Sequence, residues 1–290
     1  MSKLKGRSPA SARASKPKVV IFGRPGVGKT WTAIDFPNVF FVDVEGGADL
    51  RHYTAKLSKA GATYFGPEDG SQDFLAVIEQ VQALATEKHD RKTLVIDSFS
   101  KLFNMAISAE AERLGDKDAF GASKKPAVAY TRRLVNWIAR LDMNVILICH
   151  EKPVWDNDKQ TGVTFDGWEK LEYELHLLLN IVKNGTTRTA IVRKSRLEEF
   201  PDLDRFPWSY DEFAARFGRD LIESQSKNIE LASAEQVAEL NRLIKVVNLP
   251  QSTIDKWLTA ANAENISELT AHQATKCIES VTNMVKGEAA

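Results

Sequence analysis

The stretch GRPGVGKT, Gly23 to Thr30, carries the most specific chemistry in this chain. It fits the pattern G-x-x-x-x-G-K-[ST], in which glycines let successive backbone N–H groups converge on phosphate oxygens without Cβ clashes. Gly23, Arg24, Pro25, Gly26, Val27, Gly28, Lys29 and Thr30 are therefore expected to cradle a nucleotide such as ATP. Lys29 would reach the β- and γ-phosphates, and the Thr30 hydroxyl would bind Mg²⁺. An apolar run, KVVIF at 18–22, precedes the loop, and a helical pattern follows it. That context suits the chemistry, because a helix N-terminus adds partial positive charge at the phosphates.

Three acidic or basic strand ends could complete the site. TLVIDS places Asp97 after an apolar strand, where it would hold Mg²⁺ through water. Its other possible role is to cap the next helix, which Ser98 could equally do. FFVDVEGG puts Asp43 and Glu45 on one face of a strand expected to lie beside the phosphate-loop strand. Glu45, just before Gly46-Gly47, is better placed to polarise a water; the plain alternative is a pair of loop-capping carboxylates. VILICH ends in His150 at the carboxyl tip of a central strand, the position of ligand crevices in parallel sheets.

Two polar stretches mix cations with aromatic rings, which can neutralise phosphates and stack bases of single-stranded DNA. Residues 114–126 carry Lys117, Phe120, Lys124 and Lys125, and residues 151–170 carry Lys152, Trp155, Lys159, Trp168 and Lys170. Asp156, Asp158, Asp166 and Glu169 nearly cancel the charge of the second stretch, so a nucleotide lid or a subunit contact is its alternative role. A third cluster, Arg193, Lys194 and Arg196 in AIVRKSR, ends a strand and by itself reads equally as a solvated strand end.

The elements that must position these groups alternate. Strands are expected at 18–22, 38–44, 62–65, 93–97 and 144–149, with helices near 29–36, 72–87, 99–114 and 126–142. Such alternation implies right-handed crossovers and a mostly parallel α/β sheet with helices on both faces. Residues 151–170 read as a long polar loop, and the apolar runs flanking Asn184-Gly185 as an antiparallel hairpin at the end of the sheet. Three domains are expected: a disordered basic tail over 1–17, an ATPase core over 18–223 and a small helical domain over 231–290. In the last, Ser233 with Gln236 and Thr270 with Gln273 look like capping boxes. Across 290 residues, 39 Lys and Arg balance 39 Asp and Glu, so only local patches can select a charged partner. Cys149 and Cys277 match no metal spacing, and no apolar run is long enough to span a membrane; a cytoplasmic protein is expected.

Taken together, a phosphate loop, a D-x-E strand end and a strand-terminal Asp resemble the RecA-like ATPase class. The stretches VILICHEKP, the KSR hairpin and YDEFAARFG are similar to phage-encoded RecA-like ATPases of the single-strand annealing and recombination group, from Lys18 to about Gly218. The resemblance implies that Glu45 is the catalytic base, since in the AAA+ class the Glu follows the metal-binding Asp, where this chain has Ser98. It implies that His150 senses the γ-phosphate and passes its state to a DNA-contacting loop. It also implies a ring or filament with ATP between subunits, in which Lys194 and Arg196 reach the neighbour's γ-phosphate. The function so implied is a Mg²⁺- and DNA-dependent ATPase acting on single-stranded DNA, with a single-strand binding protein as a further partner. A helicase loader, a replication switch and a P-loop kinase remain as alternatives.

Overall fold

All six residues of KVVIFG are buried, and this run forms strand β1, Lys18–Gly23. The computed structural model describes residues 15–47, 51–118 and 121–288. After β1 come helix α1 (Lys29–Ala33), β2 (Val39–Asp43), α2 (Arg51–Lys59), β3 (Thr63–Phe65), α3 (Phe74–Thr86), β4 (Thr93–Asp97), α4 (Phe99–Leu114) and α5 (Lys124–Arg140). Next are β5 (Asn144–Asp156), β6 (Lys159–Phe165), α6 (Leu171–Glu174), β7 (Leu177–Asn184), β8 (Thr187–Ser195), β9 (Arg205–Pro207), α7 (Tyr210–Phe217) and α8 (Arg219–Glu223). Helices α9 (Ala234–Val246), α10 (Gln251–Ala261) and α11 (Ala271–Glu288) end the described chain.

The sheet order is β3-β2-β4-β5-β1-β7-β8-β9, parallel from β3 through β7 and antiparallel from β7 to β9. This is the mostly parallel α/β sheet with a terminal antiparallel hairpin that the alternation implied. One neighbour differs from expectation: β2 does not lie beside β1, because β4 and β5 are inserted between them. The register then aligns the strand ends. Gly23 pairs with His150, Ile148 with Asp97, and Asp97 with Asp43, so every strand-end group of interest meets one edge of the sheet.

Residues 151–165 are a hairpin rather than a loop. Strand β5 continues past the sheet and pairs with β6, from Glu151↔Phe165 to Asp156↔Lys159. Asn157 and Asp158 turn it with φ of 48° and 61°, a left-handed pair that these residue types tolerate. The tail expectation is also corrected at its end. Lys16 is buried and donates to the Ser224 carbonyl, and the Pro17 carbonyl accepts from Val145 N, so residues 15–17 belong to the fold. The remainder of the expected tail lies outside the described residues.

The chain divides into two compact units. One comprises the chain through Pro67 with Arg91–Ser100 and Asp142–Ser226; the other comprises Glu68–Asp90, Lys101–Leu141 and Lys227–Ala290. In the first, Val19, Ile21, Ile146, Ile148, Leu177 and Leu179 pack with an aromatic group around Phe213. Its ring lies 5.5 Å from Phe36, 5.3 Å from Phe200 and 6.2 Å from Trp208.

The second unit is discontinuous in sequence, joining the helices expected over 231–290 to Glu68–Asp90 and Lys101–Leu141. The C-terminal helices have their own core of Leu240, Leu243, Leu269, Ala274 and Val281. Both expected capping boxes form, Ser233 with Gln236 and Thr270 with Gln273. They do not stand alone, however. Arg133 of α5 lies 3.2 Å from Glu264 and 3.7 Å from the buried Glu268, and Arg140 donates to the Glu268 carbonyl at 2.7 Å. The buried Glu268 carboxylate needs partners; it accepts from Glu264 N at 2.9 Å and Asn265 Nδ2 at 3.2 Å, and Arg133 of α5 adds positive charge nearby.

Phe213→Ala would empty the centre of the aromatic group and cost ~3–5 kcal/mol of stability, read as a lowered denaturation midpoint.

Candidate functional site

The phosphate loop joins β1 to α1 and has the backbone its sequence requires. Gly26 and Gly28 hold φ of +75° and +92°, a left-handed geometry that favours glycine. The Lys29 ammonium is folded onto the loop, donating to the carbonyls of Gly23 at 2.8 Å and Arg24 at 3.0 Å. Arg24 itself is exposed, 3.4 Å from Glu151, while Val27 is buried. Burial lowers the Lys29 pKa, and the carboxylates of Asp97 and Glu45 oppose that shift.

Thr30 Oγ1 donates to Asp97 Oδ2 at 2.5 Å. Burial pushes the Asp97 carboxyl up to about 6; the Thr30 hydroxyl opposes the shift and nearby Glu45 reinforces it. A hydroxyl and a carboxylate side by side, at a spot with surplus negative charge, are the hard-oxygen donors that Mg²⁺ takes alongside phosphate and water. These two residues fit the ion. Among the described residues there is no group of three or more His, Cys, Asp or Glu that could hold a metal.

Asp43 and Glu45 have separate fates. Asp43 is buried, accepting from Gly46 N and from the Tyr64 hydroxyl, both at 2.9 Å, so it caps the turn after β2. Glu45 instead sits on the open side. Its Oε1 accepts from Ser98 Oγ at 2.6 Å and lies 2.5 Å from His150 Nε2, which is 3.2 Å from Ser98 Oγ. The hydrogen bond to Glu45 raises the His150 pKa, against the effect of burial. Ser98, read from sequence only as a possible helix cap, thus helps to hold the carboxylate.

Lys29, Thr30, Glu45, Asp97 and His150 line one cavity of ≈ 530 Å³. Glu151 and Tyr53, not anticipated from sequence, line it too. The Glu151 carboxylate is held 3.5 Å from Asn180 Nδ2, a buried amide on β7. The spacing that could have flagged Glu151 is its place directly after His150.

The expected DNA-contacting residues divide. Trp155 is 61% exposed on the β5–β6 hairpin, and Lys159 is exposed across from Asp156. Lys152 is partly buried farther down the same strand. Trp168 is 8% exposed, so it cannot stack a base, and that assignment is withdrawn. Lys124 and Lys125 are exposed at the start of α5, in the other unit, where they line a cleft with Arg132. Phe120 lies outside the described residues.

Lys194 and Arg196 are at the far end of the sheet from the phosphate loop. Lys194 pairs with Leu178 and Ser195 with Leu177, at the end of β7 that adjoins Val19 rather than Gly23. Neither residue reaches its own loop. Both are held by the preceding chain: Lys194 Nζ donates to the Leu175 carbonyl at 2.5 Å, and Arg196 donates to the Tyr173 carbonyl. Arg193 is exposed, at a bulge opposite Leu178 and Leu179. His176 lies beside this cationic corner, and its Nδ1 accepts from Lys18 N at 3.3 Å. Burial, with Lys18, Arg196 and Lys194 nearby, lowers its pKa to about 4.

Residues 15–198 match a family model described as an AAA domain. No curated protein matches the chain. Among solved structures it is similar to the RadB recombinase, with a TM-score of 0.43 and 17% identity over 67% of this chain and 87% of that one. It is also similar to an ATPase from the type III secretion system of pathogenic bacteria, with a TM-score of 0.37 and 13% identity over 93% of this chain and 80% of that one.

The His176 shift has a measurable consequence. The unfolded chain takes up a proton near pH 6.5 and the folded chain only near pH 4, so this contribution to stability is complete above 6.5 and lost as pH falls through 4. Between pH 7 and pH 5 the native protein should lose on the order of 1 kcal/mol more than His176→Gln, after discounting for partial exposure, in paired chemical-denaturation curves.

Proposed function

This chain belongs to the AAA domain family, and from that membership we propose that it is a Mg²⁺-dependent ATP hydrolase driven by single-stranded DNA, working as a homo-oligomer in phage-type recombination by annealing or strand exchange. The observation that supports this most directly is the continuity of β5. One 13-residue strand runs from the core past His150, beside Glu45, to the exposed Trp155 of the hairpin. A load on the hairpin is therefore a load on the strand that holds the base.

In this reading the loop amides and Lys29 bind the phosphates, while Thr30 and Asp97 hold the ion. Mg²⁺, when bound, neutralises charge on the phosphate oxygens. Glu45 accepts the proton of the attacking water, with Ser98 and His150 fixing its carboxylate in position. His150 reports the state of the site along β5. Bases stack on Trp155, and Lys152 and Lys159 meet the phosphate backbone; Lys124 and Lys125, in the other unit, are a separate cationic candidate for such contact.

Lys194 and Arg196 stabilise transition-state charge in the site of a second copy. Their position at the opposite edge of the sheet supports this, because it denies them any role at their own loop.

Three measurements test the reading. Glu45→Gln should bind ATP normally yet hydrolyse it ~10²-fold or more slowly. Single-stranded DNA should stimulate the native enzyme, and Trp155→Ala should lose that stimulation while basal turnover persists. Negligible turnover with or without DNA would favour a loader or switch, and a requirement for an acceptor molecule would favour a kinase. Finally, Arg196→Ala and Lys29→Ala should each be inactive alone and regain activity when mixed; mixtures that stay inactive would sink the in-trans role.

A further inference from the structure

Arg188 lies near the start of β8, at the end of the strand away from Lys194. Gly28 carries φ +92°, and a Cβ on it would lie 2.3 Å from Arg188 Nε, 2.8 Å from Cδ and 3.3 Å from Cζ. The arginine's stem and guanidinium therefore rest on the last glycine of the phosphate loop. Its Nε is buried and has no hydrogen-bond partner among the described residues. An unsatisfied buried donor is costly, more so when charged, and such groups in native chains call for a ligand, an ion or a functional role.

The approach is specific to this hairpin. A Cβ on Gly23 would lie 2.2 Å from the Ile181 carbonyl of β7, so both strands of the β7–β8 pair press on the phosphate loop, one at each of two glycines. The local charge also favours a second cation. Asp97, Glu45 and Glu151 surround Lys29, whose charged form is disfavoured by burial. A polyphosphate adds further negative charge to that surround.

We propose that Arg188 is a second fixed cation of the phosphate site, supplied in cis by the β7–β8 hairpin, and that it binds the phosphates of a nucleoside triphosphate together with Lys29. Guanidinium suits the task, since its planar fork stays charged and pairs with phosphate oxygens. This role differs from that of Lys194 and Arg196, which lie toward the other end of the same strand. It rests on the nucleotide-binding reading of the loop.

Arg188→Gln and Arg188→Lys both keep an aliphatic stem over Gly28, so they separate charge from packing. Calorimetric titration with Mg²⁺ and ATP should show ~10-fold weaker binding for the Gln variant and partial recovery for the Lys variant. Wild-type affinity in both would overturn the proposal. Native protein gives an independent reading: ATP should protect Arg188 from phenylglyoxal, scored by peptide mass spectrometry, and equal modification with and without ATP would overturn it as well. Failure of the underlying reading looks different, since native protein and Lys29→Ala would then be equally unable to bind ATP.

Discussion

The register of four parallel strands is the constraint on which the site depends. Gly23 is level with His150, Ile148 with Asp97, and Asp97 with Asp43. Side chains at strand ends have little freedom to search, so a slip of one residue would turn each of them to the opposite face. What fixes the register is apolar: β1, β2 and β4 are buried almost end to end, as is β5 within the sheet. Inserting β5 between β1 and β4 has a chemical result. It sets His150, rather than Asp97, level with Gly23 on the strand beside β1, and so places an imidazole where it can hold Glu45.

Strand β8 shows the same economy on the other side of β1. Near its start Arg188 lies on Gly28, and at its far end the chain holds Lys194 and Arg196 with two backbone carbonyls. Cations toward opposite ends of one strand cannot serve one nucleotide. If the second pair acts on a neighbouring copy, as proposed, a single rigid element touches two nucleotide sites. Coupling between sites then needs no long relay of side chains, only a shift of the hairpin against the loop.

Much of this was legible in the sequence where the signal is local. GRPGVGKT specifies its own backbone, and Asp97 follows directly from an apolar strand ending in an acid. Asn184-Gly185 marked its hairpin, and Ser233 and Thr270 marked their helices. The misreadings share a cause, which is that burial and pairing are tertiary. Trp168 has the composition of a stacking residue and the environment of a core residue, and nothing in its neighbours' types distinguishes the two. The polar stretch after His150 read as a loop because an exposed hairpin has no apolar face to produce a period of two. Arg188 carries no motif at all; it matters because Gly28 lets it approach, and that contact spans more than 150 residues of sequence.

The charge of the site explains why its cations come from so many places. Asp43, Glu45, Asp97 and Glu151 all border the cavity that Lys29 serves. Asp43 is satisfied by Gly46 and Tyr64, and Glu45 by Ser98 and His150, but Asp97 has its carboxyl pushed up to about 6 by burial. A site this acidic repels a triphosphate unless positive charge arrives with it or surrounds it. One lysine is outnumbered by these carboxylates, and burial lowers its pKa. The deficit can be met by an ion at Thr30 and Asp97, by Arg188 from the hairpin, and by cations from a second copy. Of these three proposed sources only Arg188 lies in the fold of a single chain, so on that proposal binding would begin there, and transition-state charge would be left to groups brought by a second copy.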